Sequence, residues 1–125
     1  MPRIFVIDDD KDLLLVVKSL LEKRGFDASV YSKPENALRD IKISEPQLVL
    51  LDVFLEGVDG FEVCKKLKGH YSTRPIPIII FSSYPKVADT AILEYGANDF
   101  ISKPFEMNDL VSRVHLILSR SGEVA

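Results

Sequence analysis

A single cysteine, Cys64, excludes both an internal disulfide and a thiolate metal cluster. Tryptophan is absent, and the two histidines, His70 and His115, match no catalytic spacing. No apolar run approaches the roughly 18 residues of a membrane span. The opening residues, MPRIFVIDDD, turn acidic after one short apolar run and carry no signal-peptide pattern, so a cytoplasmic location is expected. Positive charge is not in excess. The 16 Lys and Arg against 19 Asp and Glu leave a net charge of −3, which disfavours a broad nucleic-acid or anionic-membrane surface. Linkers and low-complexity segments are also missing, so the 125 residues are expected to form one domain with a sizeable core.

What the chain does contain is an alternation of short apolar runs with helical patterns. RIFVI (3–7) reads as a buried strand ending at Asp8. Leu13, Leu14, Val17, Leu20 and Leu21 recur at helical spacing up to Gly25. FDASVY alternates as a strand should, and Ser32 with Glu35 has the spacing of a capping box that would open a second helix carrying Ala37, Leu38 and Ile41. Glu45-Pro46 breaks that helix, and the apolar strand 48–51 runs into Asp52. Asp59 and Glu62 would cap a third helix containing Val63, Cys64 and Leu67, with Cys64 packed inside. IPIIIF (76–81) is a fourth strand ending at Ser82, and residues 87–95 a short helix stopped by Gly96. DFIS is a brief fifth strand ending at Lys103-Pro104, and Leu110, Val111, Val114, Ile117 and Leu118 mark the last helix. Five such β/α units predict an α/β three-layer sandwich, a parallel sheet covered by helices on both faces. The domain is expected to span 1–120, with 121–125 a frayed tail.

Asp8, Asp52, Ser82 and Lys103 each follow the carboxyl end of a predicted strand, the edge at which open parallel sheets bind ligands. Asp52 has no Lys or Arg within several residues, so its charge must be met there. Asp8, Asp9 and Asp52 repel one another unless cations join them. Lys103 supplies one positive charge, and one divalent ion would balance the rest. An all-oxygen ligand set without His or Cys suits Mg²⁺ rather than zinc. A carboxylate beside a hard cation, a hydroxyl and an ammonium is a site for accepting a phosphoryl group.

At these residues the chain resembles the receiver domain of bacterial two-component response regulators. FVIDDD, LVLLDVFLEGVDGFEV, IPIIIFSS and GANDFISKPF follow that family's segments in order and spacing, over nearly the whole chain. The resemblance implies a flavodoxin-like five-stranded sheet of order 2-1-3-4-5, the order given for a member of this family among the standard doubly wound folds. It also implies roles. Asp52 would be the phosphorylated aspartate, with Asp8 and Asp9 the acidic pair at Mg²⁺ and the Phe54 carbonyl the third protein ligand. Asp9 would touch the ion directly and Asp8 through water. Ser82 would hold the switch hydroxyl, Lys103 the phosphate-binding ammonium, and Phe100 the place of an aromatic switch residue that is often Tyr. Lys103-Pro104 falls where a cis peptide is usual. Two positions depart from the pattern: Glu56 stands where Pro is common, and Ser83 where Ala is usual.

Taken singly, these residues have plainer readings. Asp8, Asp9 and Asp10 could cap the first helix, and Asp10 is expected to do only that. Ser82 could form a turn, Lys103 be solvated and Phe100 be core. The plainer readings fail jointly, because four strand ends carry the required groups together. A haloacid-dehalogenase-like phosphatase would need an acid two residues after the nucleophile, where this chain has Phe54. A flavodoxin-like electron carrier would need a hydroxyl- and Gly-rich loop where DDDKD stands. A degenerate receiver that only binds partners would normally lack Asp9, Asp52 or Lys103. The resemblance implies a phosphoacceptor signalling domain that catalyses only its own phosphorylation and dephosphorylation, and turns over no free substrate. Its partners would be a histidine kinase or histidine phosphotransfer protein and, with an output domain not expected after residue 119, an output protein met by direct contact. Nucleic-acid binding is not expected, and the domain would be a monomer or a phosphorylation-dependent homodimer.

Overall fold

The computed structural model describes residues 1–55 and 57–122. The expectation attached to Glu56 and the last three residues of the tail lie outside them. β1 (Arg3–Ile7) leads into α1 (Lys11–Lys23), whose first turn is capped as expected: the Asp10 side chain accepts hydrogen bonds from the Asp12 and Leu13 N–H groups. β2 (Asp27–Tyr31) is followed by α2 (Pro34–Ser44).

The start of α2 corrects the capping-box reading. Its N-cap is Lys33, in an extended conformation and without a side-chain cap, rather than Ser32. Pro34 is the cause. The residue before a proline is pushed out of the helical region, so Lys33 cannot be the first helical residue, and Pro34 takes that position with its φ already suited to it.

β3 (Leu48–Leu51) is the buried run that precedes Asp52. Two residues later β4 (Phe54–Leu55) and β5 (Val58–Asp59) form a small antiparallel ladder. Two residues per strand are too few to show a period, so the sequence pattern did not reveal it. α3 (Gly60–Gly69) is capped by Asp59, which accepts from the Phe61 N–H. Gly60 is required by close packing: a Cβ there would lie 2.3 Å from Val53 Cα and 2.5 Å from the Asp52 carbonyl oxygen. β6 (Ile78–Ser82) leads through a 3₁₀ turn, Pro85–Val87, into α4 (Ala88–Leu93), which is shorter than the spacing 87–95 predicts. Pro85 starts the tighter turn, and Gly96 at φ +78° reverses the chain. β7 (Asp99–Ser102) and α5 (Met107–Gly122) complete the fold, α5 running two residues into the segment read as tail.

Five strands pair in parallel in the order β2-β1-β3-β6-β7, which is 2-1-3-4-5 when only the strands of this sheet are counted. The helices divide between its faces. Ile4, Val6, Leu48, Leu50, Ile79 and Phe81 face Val17, Leu21, Leu110 and Val114 of α1 and α5. Phe5, Ile7, Val49, Leu51, Ile78 and Ile80 face Ile41, Val63, Leu67 and Ala91 of α2, α3 and α4. Both faces are therefore dry, and each such buried aliphatic side chain contributes about 1.5–3 kcal/mol. The parallel arrangement brings all five carboxyl ends to one edge, and the site lies there.

Candidate functional site

Backbone bonds carry the strand pairing one residue further and so place the charged groups. The Asp8 N–H donates to the Tyr31 carbonyl at 3.1 Å, the Asp52 N–H to the Ile7 carbonyl at 3.0 Å, and the Lys103 N–H to the Ser82 carbonyl at 2.8 Å. Asp8 and Asp52 thus come side by side at the ends of neighbouring strands. They lie deeper than a rim: Asp8 is fully buried and Asp52 is 7% exposed.

Burial of two carboxylates needs a cation, and Lys103 supplies it. Its Nζ lies 2.6 Å from Asp8 Oδ2 and 3.1 Å from Asp52 Oδ2, with the side chain only 16% exposed. The same Nζ stands 4.7 Å from the centre of the Phe81 ring, which fixes the ammonium from below. The Lys103-Pro104 bond is cis. Asp8 Oδ1 accepts the Asp10 N–H at 2.9 Å, and Asp52 Oδ1 accepts the Phe54 N–H at 3.0 Å. Burial pushes the Asp8 carboxyl above its usual range, partly offset by the hydrogen bonds from Lys103 and Asp10. Burial also works against the Lys103 ammonium, but its bonds and attraction to Asp8 and Asp52 together outweigh that and hold its pKa above the lysine norm.

Asp9 is exposed, yet it offers a carboxylate oxygen to the same spot. Ligand atoms of Asp8, Asp9 and Asp52 all lie within 4.8 Å of one another. This is an oxygen-only cluster with one cation beside it, and it retains a net negative charge that a hard divalent ion would neutralise. Acids, a lysine and a hydroxyl from β1, β3, β6 and β7 therefore converge on one edge of a doubly wound sheet.

The sequence model of the response regulator receiver domain matches residues 4–115. The chain belongs to this family. Receiver domains are the signalling domains of two-component response regulators, which partner with histidine kinases and output domains, and are not classical enzymes. The chain is 36% identical over 122 residues to the DNA-binding response regulator MtrA of Mycobacterium tuberculosis, covering 97% of this chain and 52% of that protein. It is 35% identical over 120 residues to the alkaline phosphatase synthesis transcriptional regulatory protein PhoP of Bacillus subtilis, covering 95% and 49%. The chain thus spans about half the length of these relatives. A putative response regulator from Chloroflexus aurantiacus superposes with a TM-score of 0.87 at 33% identity, over 95% of this chain and 99% of that one. A CheY-like receiver domain protein from Methanospirillum hungatei gives a TM-score of 0.91 at 24% identity, over 100% and 99% of the two chains, a likeness of fold.

The remaining candidates of this receiver domain divide between the pocket and its periphery. Ser82 is fully buried at the end of β6, and its Oγ accepts the Tyr84 N–H at 3.1 Å. Phe100 is half-buried against the core that α2, α3 and α4 cover, and its carbonyl accepts from Arg113 at 3.1 Å. Ser83, Asp10, His70 and His115 are exposed, and Cys64 is packed inside α3 with its thiol pushed up to about 11 by burial. Sequence reasoning missed three aromatic side chains: Phe81 beneath Lys103, and the rings of Phe54 and Tyr84, whose centroids are 4.6 Å apart. Phe54 had entered only for its carbonyl. The available signal was positional, since Phe54 and Tyr84 each stand two residues beyond a strand-end site residue. No helix among the described residues is long and apolar enough to cross a membrane.

Proposed function

We propose that this receiver domain accepts a phosphoryl group on Asp52 from a phosphohistidine of a histidine kinase or histidine phosphotransfer protein. The observation that carries the reading is the single Lys103 ammonium bonded to both Asp8 and Asp52. A lysine so held cannot move away from the acceptor, and it offers positive charge where phosphoryl oxygens would arrive. An Asp52 carboxylate oxygen forms the new bond to phosphorus while the bond to the donor nitrogen breaks. Hydrolysis later returns the carboxylate when water takes the phosphoryl group, so the domain catalyses only its own modification and its reversal.

The oxygen-only donor set fits Mg²⁺, which Asp9, Asp52 and the Phe54 carbonyl would hold, with Asp8 acting through water. When bound, the ion supplies electrostatic stabilisation to the oxygens on which charge accumulates. Asp9→Ala should lose metal binding and phosphorylation together. Metal titrations that cannot tell Asp9→Ala from wild type would place the ion elsewhere.

The acceptor itself is tested with phosphoramidate and Mg²⁺. Wild type should gain one phosphoryl group, mapped to residue 52, and Asp52→Asn, which keeps the shape without the nucleophilic oxyanion, should gain none. Undiminished labelling of Asp52→Asn would move the acceptor to another residue.

Phosphorylation adds negative charge next to Ser82 and Lys103, and we assign the switch to Ser82 and Phe100. The Ser82 hydroxyl would turn toward the phosphoryl group, and Phe100, already half-buried, would complete its turn inward and alter the partner surface formed by α4, β7 and α5. That surface would meet an output protein or a second copy of the domain. With a beryllofluoride mimic, Ser82→Ala should show weaker NMR shifts around Phe100 and α4 than wild type. An equal response would remove the hydroxyl from the coupling.

A further inference from the structure

α2 and α3 cover the same face of the sheet, and a groove of about 640 Å³ separates them. Its lining follows helical spacing on both sides: Leu38, Ile41 and Lys42 on α2, and Glu62, Lys65, Lys66 and Gly69 on α3. Residues three and four apart share one face of a helix, so the groove runs along the two axes rather than across them. A second hollow of about 220 Å³ shares Ile41, Lys42 and Thr73 with it and continues it past Glu45 to Ile76. The floor is apolar, with Ile41 and Leu67 buried and Leu38 half-buried, while Lys42, Lys65 and Lys66 are exposed on the rim. Among the described residues no acid of the domain pairs with these three lysines, whereas Arg39, on the same helix as Lys42, is held by Asp40. On a chain of net charge −3 the groove is therefore a locally basic strip over an apolar floor. It shares no residue with the pocket at Asp52.

We propose that the groove between α2 and α3 is a docking surface for an acidic amphipathic helix of a partner protein. The apolar stripe of such a helix lies on Leu38, Ile41 and Leu67, and its flanking carboxylates meet Lys42 on one side and Lys65 and Lys66 on the other. The size fits: α3 has ten residues and is about 15 Å long, which seats nearly three turns of a partner helix. Glu62 in the first turn of α3 and Glu45 at the end of α2 set acids at opposite ends of the groove, because both helices run antiparallel to the parallel strands. A continuous polyanion would have to pass both acids, whereas a short helix lies between them. A second copy of this domain fits poorly. The exposed Leu15 of α1 stands one turn from Lys11, Asp12 and Lys18, and the exposed Leu116 of α5 one turn from Arg113 and Arg120, so positive charge would meet positive charge. α4 carries Asp89 beside the exposed Ile92 and Leu93, but its six residues span only about 9 Å.

The probe is a helical peptide of about 14 residues with Leu along one stripe and Glu on both flanks of it. One control peptide carries Lys for Glu, and another carries Ala for Leu. Affinity is read by fluorescence anisotropy, and the contact is mapped by ¹⁵N NMR shifts on the 125-residue chain. The Glu–Leu peptide should bind about tenfold more tightly than either control, with shifts centred on Lys42, Lys65, Lys66 and Thr73. Lys65→Glu with Lys66→Glu changes only exposed side chains, so folding is retained, and the Lys–Leu peptide should become the tighter ligand. Equal affinity for the Glu and Lys peptides, or for the Ala control, overturns the proposal, since recognition then lacks either its charge or its apolar half. Shifts centred on α1 or α4 overturn it by moving the contact to another face. Shifts at the groove with decanoate and none with the Glu–Leu peptide overturn it in favour of a small amphiphile. A dimer of the chain alone in sedimentation, dissociated by the double substitution, gives the groove to a second copy and overturns the assignment to a partner.

Discussion

Lys103 and Lys68 lie at opposite ends of the sheet, each with its ammonium partly withdrawn from water. At the carboxyl end, Lys103 meets two carboxylates, and their charge outweighs the effect of burial and raises its pKa. At the amino end, Lys68 donates to the carbonyls of Arg74 at 3.2 Å and Ile76 at 2.8 Å and to Asn98 Oδ1 at 3.0 Å. Burial lowers its pKa, because none of these three acceptors carries a counter-charge. Carbonyl dipoles satisfy hydrogen bonds without neutralising the ion. Lys68 therefore ties the end of α3 to the starts of β6 and β7, whereas Lys103 pairs its charge with two buried acids where the proposed phosphoryl group would arrive. One residue type meets neutral carbonyls at one end and carboxylates at the other.

The sharpest way to break this comparison is to remove each ammonium. Lys103→Met leaves the buried Asp8 carboxylate without its cation, and phosphorylation by phosphoramidate should fall about a hundredfold. Lys68→Met should leave that rate within a factor of about two while removing the donor from three acceptors. Equal loss of rate in the two variants would show that the ends of the sheet do not act separately.

Next in size is the contrast between the two ends of α3. Gly60→Ala drives a Cβ into the backbone of Asp52 and Val53 and should cost about 2 kcal/mol, with weakened Mg²⁺ binding. Gly69→Ala meets nothing within 4 Å and should gain about 0.5 kcal/mol. Urea unfolding read by far-UV circular dichroism measures both, and similar changes would deny Gly60 its role in seating the loop at Asp52 and Val53. Lys68→Met belongs between them, with an expected cost of about 1 kcal/mol by the same measurement.

The smallest effect is in the pH dependence of Tm with metal chelated. Lys103 is raised, so its contribution is fully present below the ordinary lysine value of 10.5 and is lost as pH rises through its higher folded value. Lys68 is lowered, so the folded state disfavours its charge, and that penalty fades as pH climbs toward 10.5. Tyr31, pushed up to about 12 by burial and its bond to Asp40, loses stability with Lys103 and should be replaced by Phe in the background. In that background Lys103→Met should flatten the alkaline fall of Tm, and Lys68→Met should lower Tm less at pH 8 than at pH 10.5, relative to their parent. Parallel curves would mean that neither ammonium is perturbed.

Much of this was legible in the chain because it depends on near neighbours. The periods of β1 and α1, the Asp10 cap and the strand ends at Asp8, Asp52, Ser82 and Lys103 are set by residues a few positions apart, and a parallel sheet necessarily collects such ends on one edge. Ser32 misled because a local rule, the capping box, lost to an adjacent one, the restriction Pro34 places on Lys33. The tertiary structure alone decided which charges meet. Lys103 is 95 residues from Asp8 and 51 from Asp52, Lys68 is 30 from Asn98, and Phe54 touches Tyr84 across two strands. Hydrophobic period specifies which face of an element is buried. It does not specify which side chains face each other where two elements end, because that is fixed by strand order, register and packing of the whole core.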